Sequence, residues 1–291
     1  MMLTQQLLNG VLSSGVYALY AVGFTMIFGI MGVLNMAHAD FGTVAAFAII
    51  WAVTAGLAPV GAVLVACVVT LAIALLVERL AMRPGRRFKG DAAIEMPLIG
   101  TIGAGMILQN AAALIFGNKA IVFAFSLRGV VRVGGFLVSK GLIVSLVVSA
   151  VLLALLEFLV TYTGFGRQMR AVAQNRNAAE IMGINSERVI LITFTITAAL
   201  AGIAGCLVGL SYGLVSPYMA VSYAIKGLVA MIVGGVGSLP GAVLGALLIG
   251  VVEALTVSQL GSQMRDVGVF VVLMAVLAIR PSGLLRVAAS R

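Results

Sequence analysis

The chain has 291 residues, of which 62% are hydrophobic and 9% charged, with a mean hydropathy of +1.20. That composition excludes a soluble globular domain. At about 20 apolar residues per span, the length holds roughly eight membrane crossings with short loops. The net charge of +9 sits mainly in loops between apolar runs, so it points to topology and anionic headgroups rather than to nucleic acid.

In chain order, the N-terminal stretch MMLTQQLLNG lacks a basic leader region and a convincing cleavage site, so it is expected to remain uncleaved. The first apolar run, 7–34, carries Gly10, Gly15, Gly23, Gly29 and Gly32, which permit kinks or close helix packing. A break follows at 35–40, with the chain's single histidine, His38, near Asp40. A second run spans 41–57, and after Pro59 a third reaches Leu80. Then comes a loop holding Arg79, Arg83, Arg86, Arg87 and Lys89. A fourth span covers 96–116, with Gln109 and Asn110 embedded in it. The connection 117–139, around Arg128 and Arg132, predicts a small surface hairpin. A fifth span is expected at 140–162 and a sixth at 189–210. The aromatic connection 211–223 leads to 227–255, where Gly234, Gly235, Gly237, Pro240 and Gly241 interrupt an apolar stretch. Two half-helices or short tilted spans are expected there. A last span, 267–279, ends in a basic tail. Cys67 and Cys206 both lie in apolar runs and imply neither a disulfide nor a metal site.

Between the fifth and sixth spans lies a polar island, 164–188, with four Arg, two Glu, three Asn and two Gln. Its pattern predicts two short helices. The first, 167–174, sets Met169, Val172 and Ala173 on one side and Arg167, Arg170 and Gln174 on the other. The second is expected to open with Asn177 as its cap, with Glu180 three residues on, and to close at Gly183 followed by Ile184. Two capped helices with small residues at Ala171, Ala173, Ala178 and Ala179 fit a docking surface. The competing reading is an ordinary solvated loop.

Counting crossings puts Arg79, Arg83, Arg86, Arg87, Lys89, Arg167, Arg170, Arg176, Arg188, Arg280, Arg286 and Arg291 on one side, twelve of the 18 Lys and Arg. The positive-inside rule makes that side cytoplasmic, with an external N-terminus and a cytoplasmic C-terminus.

No catalytic constellation is visible. A single His excludes a paired-histidine zinc motif, and the absence of any Gly-Lys dipeptide excludes a phosphate-binding Walker loop. The chain is therefore expected to be no enzyme, to hold no metal or cofactor, and to lack the means to use ATP by itself. An ion-coupled carrier would need intramembrane ionisable groups. The candidates are Glu253, Glu157 and the His38–Asp40 pair. Glu78 and Glu157 fall near span ends and read as interfacial acids. Glu253 reads equally as a cavity-facing acid or as an interfacial one, and His38 as a capping or hydrogen-bonding residue. The two breaks, 35–40 and 234–241, read either as a translocation path lined by broken helices or as close glycine packing.

Four motifs, in this order and spacing, carry a family resemblance over nearly the whole chain. They are Gly-Val-Leu-Asn-Met-Ala-His-Ala-Asp-Phe at 32–41, Gly-Arg-Gln-Met-Arg-Ala-Val-Ala-Gln-Asn at 166–175, Ala178-Ala179 through Gly183-Ile184-Asn185, and Gly-Gly-Val-Gly-Ser-Leu-Pro-Gly at 234–241. The chain resembles the inner-membrane permeases of bacterial ABC importers for branched-chain amino acids, the LivH-like type. Ala39 stands where that family's pattern has Gly, which predicts a changed bend before Asp40.

The resemblance implies an all-α polytopic permease domain, residues 1–291, in the bacterial inner membrane. It implies a second, related permease as partner, two cytoplasmic ATP-binding subunits that hold the ATP, and a periplasmic substrate-binding protein. The polar island then looks like coupling helices, with Gly166, Arg167, Arg170, Ala171, Asn177, Ala179, Glu180 and Gly183 as ATPase contacts. Charge reversal at Arg170 is expected to uncouple the ATPase without disturbing insertion. Asn35, His38, Asp40, Thr101, Gln109, Asn110, Gly234, Gly235, Gly237 and Glu253 are the expected positions along a translocation path. The alternative is an ion-coupled amino acid carrier working alone.

Overall fold

In the computed structural model, residues 2–285 other than Arg87, Lys89, Arg128 and Gly134 are described. Of the basic residues counted for orientation, Arg87, Lys89, Arg286 and Arg291 lie outside the described residues, as does Arg128 of the expected hairpin. Among the described residues, eight helical segments are long and apolar enough to cross a membrane. They arise from α1 (Met2–Met31), α2 (Asp40–Thr54, with a 3-10 turn at Met36–His38), α3 (Pro59–Val77), α5 (Ala92–Phe116), α6 (Lys140–Tyr162), α9 (Ser186–Tyr212), α11 (Leu239–Leu260) and α12 (Arg265–Ile279). A shorter apolar helix, α10 (Met219–Gly234), stands among them. Two short helices, α7 (Gly164–Gln174) and α8 (Arg176–Ile181), form the polar island.

α1 runs through the middle of the bundle, packed on α6, α9, α10 and α11. It is mostly buried, as are α2 and α9, whereas α3, α5, α6 and α12 present largely exposed apolar faces suited to lipid or a partner. Between helices with no polar contrast to drive them together, small residues permit close approach. Where α2 crosses α9, a Cβ on Gly205 would run into the Gly42 backbone, so only glycine allows that separation.

The bundle has two polar ends. At one, the Gln5 side chain holds the β2–β3 hairpin (Val130–Val133 with Phe136–Ser139) by two bonds, donating to Leu137 O at 2.7 Å and accepting from Leu137 N at 3.1 Å. A second pairing there, β1 (Ile121–Val122) with β4 (Leu214–Val215), ties the α5–α6 connection to the end of α9. At the other end lie α7, α8 and residues 281–285, whose Leu284 and Leu285 N–H groups bond to the Val233 and Gly234 carbonyls at 2.8 and 3.0 Å.

Three expectations need correction. The segment after α3 is not a loop. Helix continues through a π-helical turn, Glu78–Met82, into α4 (Arg83–Gly85), so Arg79 and Arg83 stand on helix. The second arm of the Gly/Pro-broken region is a full 22-residue span. In its polar tail the Thr256 and Ser258 hydroxyls are satisfied within the helix, bonding back to Val252 and Leu255 carbonyls at 2.8 and 2.9 Å. Ala39 takes φ −71°, open to any residue, so the backbone before Asp40 needs no glycine.

A candidate coupling surface and three buried polar centres

The α7–α8 pair is built by side-chain caps. The Thr163 hydroxyl accepts from Gly166 N at 3.2 Å, and the Asn175 amide oxygen accepts from Ala178 N at 3.0 Å. The Asn185 amide oxygen accepts from Arg188 N at 2.9 Å and opens α9. The cap of α8 is thus Asn175, not Asn177, which lies exposed within the helix. The expected stop is present. Gly183 takes φ +85°, its N–H bonds to the Glu180 carbonyl at 3.0 Å, and Ile184 N–H reaches the Ala179 carbonyl at 3.0 Å. These are the paired bonds of a left-handed helix end.

α7 buries Gly166, Met169 and Val172 against α6, α1 and α9, while Ala173 is exposed. Gly166 is pressed on the Val160 carbonyl, where a Cβ would not fit. Arg170 folds back to donate to the same Val160 carbonyl, so it caps α6 as well as lining the surface. Arg167, Asn177, Glu180 and Gly183 face outward, Ala171 is half-buried, and Ala179 is turned inward. Glu180 pairs with Arg176 at 3.1 Å, which holds its carboxyl below the usual carboxylate range. The tip of α8 carries Ile181 and Met182, 86% and 82% exposed. Neither was singled out from sequence. The readable signal was an apolar pair just before the helix stop.

An ion network roots this tip. Glu187, at the start of α9, accepts from Arg176 at 2.8 Å and from Arg86 at 3.0 Å, and Arg86 also pairs with Glu78 at 2.5 Å. Glu78 is therefore a buried, paired acid at a span end. Glu157 is exposed, with Thr161 donating to it at 3.0 Å. Between α7 and the ends of α1 and α5 lies a cleft of about 620 Å³ that includes Val172, Ala173, Arg176 and Gly237.

The expected path residues fall into three places. Asn35, Asp40, Thr101 and Gln109 meet at the re-entrant break, where one face of α5 carries Thr101, Gly105 and Gln109 at intervals of four. Asn35 caps the 3-10 turn by accepting from Ala37 N at 3.1 Å. Met36 N donates to Thr101 at 3.1 Å, and Gln109 donates to Asp40 at 2.8 Å. His38 is not the cap. Its buried ring packs edge-on to Tyr20, Phe24 and Phe41. Asn110 points away from this centre, exposed and bonded to its own helix at Met106 O.

Gly234, Gly235 and Gly237 form the α10–α11 turn, where the C-terminal segment docks. Glu253 stands apart from both groups as a buried acid, with Lys226 at 2.8 Å and Arg265 at 2.9 Å from one oxygen. Lys226 also lies 5.1 Å from the Tyr17 ring centroid. A lone lysine inside an apolar run was the overlooked sign of this pair.

The Gly-Leu-Ser-Tyr-Gly stretch at 209–213 has the spacing of a serine-nucleophile elbow, but Ser211 ends a helix and sits 2.6 Å from the Ser145 hydroxyl. The strand–turn–helix context that chemistry requires is not there. Among the described residues no group of His, Cys, Asp and Glu could hold a metal ion.

Membrane-long helices around buried polar and ion-paired groups, with a capped helix pair at one end, fit a membrane permease subunit. The chain belongs to the family described as branched-chain amino acid transport system / permease component, which matches residues 6–279. It is 36% identical to the high-affinity branched-chain amino acid transport system permease protein LivH of Salmonella typhimurium, over 97% of this chain and 94% of that one. It is 37% identical to the corresponding permease BraD of Pseudomonas aeruginosa, over 97% of this chain and 95% of that one. Among solved structures, PsaBC from Streptococcus pneumoniae in complex with Fab has a similar fold. The TM-score is 0.52 at 12% identity, covering 94% of this chain and 91% of that one. Family membership favours the importer permease over the carrier that works alone.

Proposed function

We propose that the chain is the membrane subunit of an ATP-driven importer for branched-chain or related amino acids in the bacterial inner membrane, and that α7 and α8 take the push of partner ATPases. The observation that carries this reading is the exposed Ile181–Met182 tip on a capped helix rooted by ions. Two large apolar side chains held rigidly in water at a polar end suit a hydrophobic groove in another protein. The chain has no phosphate-binding loop, so ATP belongs to those partners. A second permease and an external binding protein complete the assembly, and the α7–α8 end faces the cytoplasm. The path lies along the re-entrant break and the inner cleft. α7 walls that cleft and packs on α1, so tilting α7 changes its shape.

The test is recovery of the tagged chain from native membranes in mild detergent, with its companions identified by mass. The reading expects ATP-binding chains and a second permease. Recovery of the chain alone, active in vesicles without ATP, would overturn it.

A further inference from the structure

Beside the coupling helices, a separate cleft of about 640 Å³ opens on the outer surface of the bundle between α3–α4 and the start of α9. Its upper wall is apolar and exposed, from Leu75, Leu76 and Leu191. Its floor is basic. Arg79 and Arg83 project from the π-helical turn and α4, Arg86 follows at the end of α4, and Arg188 lies across from them on α9.

The carboxylates in the cleft are already engaged. Glu78 binds Arg86, and Glu187 binds Arg86 and Arg176, leaving Arg83 at 3.9 Å from it. Arg79 and Arg188 have no carboxylate partner among the described residues, and the buried Nε and Nη1 of Arg86 meet no acceptor. The cleft therefore has unspent positive charge and unspent donors. Its depth fits an interface. Arg79 stands 20 residues after Pro59, the start of α3, so at about 1.5 Å per residue it lies about 30 Å along, the thickness of the hydrocarbon layer.

We propose that this cleft binds one anionic phospholipid, its phosphate against Arg79, Arg83 and Arg188 and an acyl chain along Leu75, Leu76 and Leu191. A free phosphate would use the floor and leave the apolar wall bare, whereas a lipid uses both. The bound lipid braces the π-helical turn on which the Glu78–Arg86–Glu187 network stands. This inference does not depend on which substrate the permease carries.

The experiment uses the full tagged chain purified with its companions, stripped of lipid in detergent and re-equilibrated with an equal mixture of phosphatidylglycerol and phosphatidylcholine. Retained lipid is counted by mass spectrometry. The expected result is enrichment of phosphatidylglycerol, reduced about 5-fold by Arg79→Gln and again by Arg188→Gln. Arg79→Lys with Arg188→Lys should keep most of it, and inorganic phosphate should not displace it. Equal retention of the two lipids, or unchanged retention in the Gln double variant, would overturn the proposal. So would displacement by inorganic phosphate alone, which would mark a free-anion site. A photo-crosslinker at Leu76 that captured a companion protein rather than lipid would also overturn it, by assigning the cleft to a protein partner.

Discussion

Gln109 of α5 donates a hydrogen bond of 2.8 Å to the buried carboxylate of Asp40, the first residue of α2. The bond fastens an outlying helix to the point where the chain re-enters the bundle. Gln109→Leu leaves that carboxylate without its amide donor, which costs about 1–3 kcal/mol. Thermal unfolding in detergent should show the loss. Asp40→Asn keeps an acceptor for Gln109, so it should retain both the fold and most ATP-driven uptake. Abolished uptake in a well-folded Asp40→Asn protein would instead point to proton coupling.

Lys226 and Glu253 form a second internal tie, from α10 to α11. Removing one member of a buried pair costs about 3–5 kcal/mol, because the other charge stays buried. Lys226→Met should fall at or below the low end, since Arg265 still reaches Glu253 at 2.9 Å. Adding Glu253→Leu should recover most of the loss. If the double variant is no more stable than Lys226→Met, burial of the lone charge is not what the pair prevents.

Glycine matters by position rather than by number. Gly205→Leu drives a side chain into the Gly42 backbone and should cost about 3 kcal/mol or prevent folding. Gly29→Ala, on the same class of helix but with nothing within 4 Å of the added carbon, should be neutral or stabilise by about 0.5–1 kcal/mol. Fluorescence-detected size exclusion after a heating series separates the two.

The tip of α8 should behave as surface for stability and as interface for coupling. Ile181→Asp and Met182→Asp should change stability by less than about 0.5 kcal/mol, yet lower ATPase capture about 10-fold, as loss of a buried apolar anchor does. Arg167→Glu should act in the same direction. Arg170→Glu is different. It also removes the cap on Val160, so its coupling defect should come with a loss of about 1 kcal/mol in stability.

The span pattern was legible because apolar runs and their breaks are local features. The last residues of α6, the break at 35–40 and the stop at Gly183 all follow from short-range chemistry. What escaped reading depends on contacts between distant segments. Lys226 finds Glu253 27 residues away, Arg86 finds Glu187 101 residues away, and β1 finds β4 across two spans. Asn175 rather than Asn177 became the cap because α7 ends at Gln174, one residue before it. The path candidates gathered only in part. Period-four spacing on α5 brought Thr101 and Gln109 to the break, while Asn110, one residue further, turned outward.

The central claim is that ATP hydrolysis in partner subunits drives amino acid entry through α7 and α8. The direct measurement is uptake of radiolabelled leucine into proteoliposomes holding the complete complex and its binding protein, with ATP and with a proton gradient as separate energy sources. The account predicts uptake with ATP alone, lost in Ile181→Asp while the complex stays folded. Uptake by this chain alone, driven by the gradient and unchanged in Ile181→Asp, would contradict it.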